Sequence, residues 1–345
     1  MTRPTSDPES TDETRCAPTG ASAVQVLTPR EVPLGGPRAM TVRRTLPQRA
    51  VSLVGPWCFL DHYGPDEVGT TGGMRVPRHP HTGLATVSWL FTGEVDHLDS
   101  AGHAARVRPG ELNLMLAGRG ITHSEFSTAE TTVLHGVQLW FALPEATRHS
   151  PPGFAHHVPR PVRVGDAELR VFLGSLAGET SPVDPRTGPM VGAEVLLPSG
   201  SSLVLDASSG LDPAFEHAVL VDTGEVRLVD GDPASDVLVP RDHLVHLPPG
   251  RERLELRAGD GATGDARLVL LGGEPFGEQI VMWWNFVGRS HEEVADFRAR
   301  YQAELGFEEP DRPLEGEEWF GPFPEDTPDP LPAPALPRTR MRPRG

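Results

Sequence analysis

The chain has 345 residues, a length that fits two domains better than one, and a formal net charge of −17. That charge excludes a general electrostatic grip on nucleic acid or on an anionic membrane. Every basic side chain is Arg, and 37 Gly and 37 Pro stand beside only 6% aromatic residues, which points to short strands and turns rather than long helices.

Residues 1–22 are rich in Ser, Thr, Asp, Glu and Pro and read as a disordered N-terminal tail. Next come strand-like segments at Leu84–Phe91, Glu94–Leu98, Arg106–Gly110, Leu112–Ala117, Ile121–Phe126 and Val133–Leu143. Gly- and Pro-rich turns separate them, the pattern of a sandwich or barrel. The second half repeats the theme: Thr92-Gly93-Glu94-Val95 returns as Thr223-Gly224-Glu225-Val226, and Arg108-Pro109-Gly110 is echoed by Pro248-Pro249-Gly250. The shared order predicts a duplicated β domain. Ser290 can cap one helix, with Glu293 at the capping-box position, an apolar stripe of Val294, Phe297, Tyr301 and Leu305, and Gly306 at its end. The expected division is a tail at 1–22, a metal-binding domain at 23–150, a domain without metal plus the helix at 151–307, and an extended Pro-rich tail at 308–345. Cys16 and Cys58 offer no structural disulfide, which fits a reducing cytoplasm. Neither a secretory signal nor an apolar run of membrane-spanning length is found, so a soluble, cytoplasmic monomer is expected.

Two runs carry the chemistry: His79-Pro80-His81 and His123-Ser124-Glu125. On a strand, residues i and i+2 share a face, so each run offers two ligands in one direction. Brought together, three imidazoles and one carboxylate suit a divalent transition metal, most naturally iron, with positions left open for chemistry. Glu125 can be a fourth ligand, a general base beside the metal, or an exposed carboxylate; the first two are compatible and favoured. Aligned on the Thr-Gly-Glu-Val pair, Gly210 and Asp212 fall opposite His79 and His81, so the second copy is expected to have lost its metal site. His62, His97, His103 and His135 are weaker candidates: His135 reads as a core histidine or one that orients a ligand, and His97 and His103 as surface residues. His149, His156 and His157 fall in a Pro-rich connector and are expected to face solvent. Gly118-Arg119-Gly120 reads as a tight turn aiming His123 inward. Trp89 and Trp140 read as core, with either able to line a barrel mouth.

The motif set closely resembles the pirin family of bicupins. It runs from His79-Pro80-His81-Thr82-Gly83 through Ala117-Gly118-Arg119-Gly120-Ile121 and His123-Ser124-Glu125 to His135-Gly136-Val137-Gln138-Leu139-Trp140. Gly55-Pro56-Trp57 upstream and Gly273-Glu274-Pro275 downstream extend it to roughly residues 23–307. The resemblance implies an all-β fold: two tandem cupin (jelly-roll β-barrel) domains with a C-terminal helix and metal only in the first. By motif the metal ligands are His79, His81, His123 and Glu125, and the implied metal is usually Fe(II). Some members are implied to open the central ring of flavonols such as quercetin with dioxygen, in the manner of a quercetin 2,3-dioxygenase. Others are implied to be non-enzymatic, iron- or redox-responsive regulators acting through protein–protein contacts. Ala85 departs from the family's frequent Glu, which bears on pocket polarity and substrate range. The Met282-Trp283-Trp284-Asn285 run and the Pro-rich tail point to a bacterial subgroup.

The leading expectation is therefore a metal-dependent dioxygenase using a flavonol-like small molecule and dioxygen, with Glu125 as catalytic base. A regulator with a protein partner is the alternative, and an isomerase or hydrolase on another metabolite is a third reading, since such barrels host many chemistries.

Overall fold

A computed structural model describes residues 24–34, 40–229, 235–262, 264–310, 313–314, 316–324 and 327–345. The expected N-terminal tail at 1–22 lies outside the described residues. Each half builds one large and one small antiparallel sheet. In the first half, a seven-stranded sheet runs Gly153–His157, Leu112–Leu116, Leu84–Thr92, Val133–Ala142, Trp57–Glu67, Thr41–Leu46, Arg30–Pro33. It faces a four-stranded sheet of Arg75–His81, Ile121–Ser127, Val95–Asp99 and Ala104–Val107. In the second half the small sheet is Ser202–Asp206, Arg253–Ala258, Val226–Val229 and Val237–Val239. Both small sheets place their strands in the relative chain order first, fourth, second, third. The duplication read from two short peptide echoes is thus present as a repeated topology: two β-barrels in tandem.

The halves trade edge strands. Gln25–Leu27 pairs with Leu244–Leu247 in the large sheet of the second barrel, and Gly153–His157 pairs with Leu112–Leu116 in the first. With boundaries at 22/23 and 150/151, Gln25–Leu27 therefore falls in the first segment but pairs in the second barrel, and Gly153–His157 falls in the second segment but pairs in the first. Alternating apolar residues on the large sheets also bury against each other across the halves: Trp57, Trp89 and Leu139 share one core with Phe172, Leu220 and Leu271. Trp89 belongs here, 4.7 Å from Phe172.

The interior of the second barrel is apolar, filled by Leu203, Leu205, Leu228, Leu254 and Leu256. Gly210 and Asp212 fall in the loop after a short turn of helix, past the strand that would correspond to the one carrying His79 and His81.

The helix is His291–Glu304. Ser290 caps it by accepting from the Glu293 N–H, but the Glu293 carboxylate turns to the Arg289 N–H and to Arg148 rather than completing the box. Described residues of the Pro-rich tail hydrogen-bond both to the first barrel, at Arg78 and Thr122, and to the C-terminal helix, at Tyr301, Gln302 and Glu292. No helix among the described residues is long and apolar enough to cross a membrane.

Candidate metal centre

His79 and His81 end the strand Arg75–His81, and Pro80 between them fixes the backbone φ. The neighbouring strand Ile121–Ser127 sets His123 opposite His79 and Ile121 opposite His81. Its register shifts between His123 and Glu125, an irregularity that re-aims the carboxylate relative to an ideal strand. The turn before this strand needs glycine: Gly118 has φ +52°, and a Cβ there would sit 2.0 Å from the Ser150 carbonyl oxygen.

The His81 and His123 Nε2 atoms are 3.0 Å apart, and the His79 ring centroid is 4.3 Å from that of His123. One nitrogen from each of His79, His81 and His123 lies within 4.8 Å of the others. Glu125 does not join that trio directly. It forms a second group, by the same measure, with His123 and His97. Of the four residues selected from sequence, three imidazoles converge, and the carboxylate adjoins them through His123.

His97, expected at the surface, is buried beside the centre. Its Nε2 is 3.3 Å from the Asp99 carboxylate and its Nδ1 is 3.4 Å from His123 Nδ1. Asp99 also accepts from the backbone N–H groups of Ala101 and His103, so it is a fixed acceptor. A signal existed in the sequence: His97 is two residues before Asp99 on a short strand, the same-face spacing that drew attention to the ligand pairs.

The donor set fits a metal ion. The His79 Nδ1 is 2.9 Å from the Pro77 carbonyl, which can only accept, so the proton is on Nδ1 and the Nε2 lone pair is bare. Burial holds His79 down to about 4, and burial with the neighbouring imidazoles holds His81 and His123 well below the ordinary range. All three rings are neutral at pH 7, the form that coordinates a cation. Burial raises Glu125, opposed by His97 and by the Ser88 hydroxyl at 3.2 Å. A divalent cation would bind one lone pair from each of these three neutral rings.

These groups open into a cavity of about 540 Å³, within the usual small-ligand range of roughly 300–1,000 Å³. One wall is aromatic: Trp140 meets His81 edge-on at 5.0 Å and stacks on Phe59 at 3.9 Å, with the Arg44 guanidinium 4.3 Å over Phe59. Arg44 is held there by two hydrogen bonds to buried Asp61, at 2.7 and 2.8 Å.

His62 and His135 serve elsewhere. Both direct Nε2 at one oxygen of Asp222, at 2.7 and 2.5 Å, and Arg267 holds the other oxygen at 3.2 Å. The histidines come from the first barrel and Asp222 from the second, so the cluster is a latch between barrels. His103 hydrogen-bonds Asp99, His149 and His156 are exposed, and His157 is half-buried on the edge strand.

Residues 39–141 match the pirin family profile, and residues 193–307 match the pirin C-terminal cupin domain. A pirin-like protein of Caulobacter vibrioides is 34% identical over 272 residues, 76% of this chain and 88% of its own length. The chain belongs to the pirin family. A Pseudomonas aeruginosa protein provisionally named a quercetin 2,3-dioxygenase is 40% identical, over 79% of this chain and 81% of the other. The crystal structure of a quercetin 2,3-dioxygenase from Acinetobacter baumannii aligns with a TM-score of 0.79 and 32% identity, covering 93% of this chain and 97% of that one. The two barrels are thus the tandem cupin domains of a pirin, and the imidazole cluster lies in the first.

Proposed function

We propose that this pirin is a metal-dependent dioxygenase acting on a planar small molecule with a hydroxyl beside a carbonyl, as in a flavonol. His79, His81, His123 and Glu125 are the ligands in this reading, and Fe(II) is the metal. The observation that carries it is the convergence of three neutral, buried imidazoles and a carboxylate at one cavity with an aromatic wall. The similarity to quercetin 2,3-dioxygenases supports the substrate class.

When bound, the metal supplies Lewis acidity toward the adjacent oxygens and a meeting place for dioxygen. The chain's residues do the rest. Trp140 and Phe59 offer flat apolar surface to a ring system. The Pro77 carbonyl fixes the tautomer of His79, and the Asp99–His97 pair does the same for His123: His97 donates to Asp99, accepts from His123 Nδ1, and leaves His123 Nε2 free. Glu125 takes the proton of the substrate hydroxyl; burial raises its proton affinity and suits it to that task. The deprotonated substrate is the electron-rich form that reacts with dioxygen, and the enclosing barrel limits water.

The test is anaerobic purification, loading with Fe(II), and a dioxygen-uptake screen with flavonols and other vicinal oxygen donors. Uptake that requires the metal and is lost in His81→Ala supports the enzyme. Full metal loading with no uptake from any such compound would shift the reading to an iron-responsive regulator.

A further inference from the structure

The Pro-rich segment after the helix lies beyond both ranges matched by the pirin profiles. Its described residues follow a fixed course over the metal pocket. Phe320 is fully buried, and its carbonyl accepts from the Arg78 guanidinium and, at 3.2 Å, from the Thr122 hydroxyl. Arg78 and Thr122 are the chain neighbours of His79 and His123. Farther along, the Leu331 N–H donates to the Arg78 carbonyl at 2.8 Å, and the Leu331 carbonyl accepts from the Tyr301 hydroxyl at 2.6 Å. The next fastening is Ala333 N–H to Gln302 Oε1, at 2.7 Å. Leu331 is therefore tied on one side to the strand bearing the imidazoles and on the other to the C-terminal helix. Pro328, Pro330, Pro332 and Pro334 alternate through this stretch. Prolines hold a chain extended before it docks, so a segment with no ladder of its own can be ordered at low entropic cost.

Between these fastenings, Leu331 and Pro332 line the same cavity as His79, His81, His123 and Glu125. We propose that this strap is the fixed outer wall of the metal pocket, and that Leu331 sets the size of planar ligand that can reach the metal centre. The proposal rests on reading this cavity as the substrate site. Its chemistry is steric: an apolar side chain, held by its own backbone, facing a site whose other wall is aromatic.

Three full-length variants test it. Leu331→Ala removes bulk from the wall, Leu331→Trp adds it, and Tyr301→Phe removes one fastening. Each is loaded with Ni(II), which is followed during extraction by EDTA. Binding of 3-hydroxyflavone and of tropolone, a smaller planar chelator, is titrated alongside. Leu331→Ala and Tyr301→Phe are expected to lose metal at least fivefold faster than the unaltered chain. Leu331→Trp is expected to weaken 3-hydroxyflavone at least tenfold while tropolone stays within about threefold. Should Leu331→Trp fail to fold, the other two variants decide by their metal-loss rates. Unchanged metal loss in Leu331→Ala and Tyr301→Phe overturns the wall, as does unchanged discrimination between the two chelators in a folded Leu331→Trp. If the unaltered protein binds no 3-hydroxyflavone yet Leu331→Ala loses metal faster, the wall stands and the flavonol-type substrate falls.

Discussion

His97 Nδ1 lies 3.4 Å from His123 Nδ1, and on its far side His97 Nε2 faces Asp99 at 3.3 Å. A carboxylate in the small sheet of the first barrel thus reaches a candidate metal ligand through one intervening imidazole. Partners of this kind typically matter by about 10–100-fold in metal affinity. His97→Phe should weaken metal binding by that order, measured by competition with a chelator of known affinity, with the circular dichroism spectrum unchanged. Wild-type affinity in this variant would reduce His97 to packing.

The convergence of His79, His81 and His123 predicts about one transition metal per chain. The double variant His79→Ala, His81→Ala should emerge from purification without metal yet soluble, because the large apolar cores between and within the barrels do not involve these rings. Removing His217, His243 and His246 should leave the metal content as it was. Elemental analysis of both proteins checks this; a second ion lost with the latter three would place a site in the second barrel.

Glu125→Gln should lower turnover by on the order of a hundredfold or more while changing metal affinity far less. The amide oxygen still coordinates weakly, but it cannot accept the substrate's proton. Part of the rate should return at high pH, where the substrate ionises unaided. A variant with wild-type turnover and pH dependence would leave Glu125 only a structural role.

The latch predicts a stability effect remote from the metal. Asp222→Ala leaves two buried histidines and Arg267 without their shared acceptor. Breaking a buried charged cluster on one side costs about 3–5 kcal/mol, visible as a lower urea midpoint. Burial pushes Asp222 up, but the hydrogen bonds from His135 and His62 outweigh it and hold the carboxyl well below its ordinary range. This contribution should therefore be present above about pH 4 and fade only as pH falls further.

Acid should weaken the metal-free protein earlier, through the buried imidazoles. Burial holds His79 and His217 each to about 4, against about 6.5 unfolded. Between those values the unfolded chain binds more protons than the folded one, so stability falls as pH falls. Each ring contributes a slope of about 1.4 kcal/mol per pH unit in that window. Denaturant midpoints of the apo protein from pH 7 to pH 4 should decline accordingly, and His217→Gln should flatten part of the slope. A midpoint independent of pH over this range would contradict the neutral, buried state.

The strand pattern, the duplication and the two ligand-bearing runs were legible in the amino-acid sequence. Strand periodicity and His-X-His spacing are local properties, written within a few residues of each other. The helix start at Ser290 was legible for the same reason, because a cap acts on its own first turn. Tertiary structure decided what depends on distant segments meeting. His97 became part of the centre only because the strand Val95–Asp99 pairs with the strand carrying His123. His62 and His135 became a latch only because Asp222 arrives from the second barrel, 160 and 87 residues along the chain. Leu331 and Pro332 came to line the cavity only because hydrogen bonds to Arg78, Tyr301 and Gln302 dock that segment. Beyond the His97-X-Asp99 spacing, these contacts have no periodic signal, since each is set by the docking of two surfaces distant in the chain.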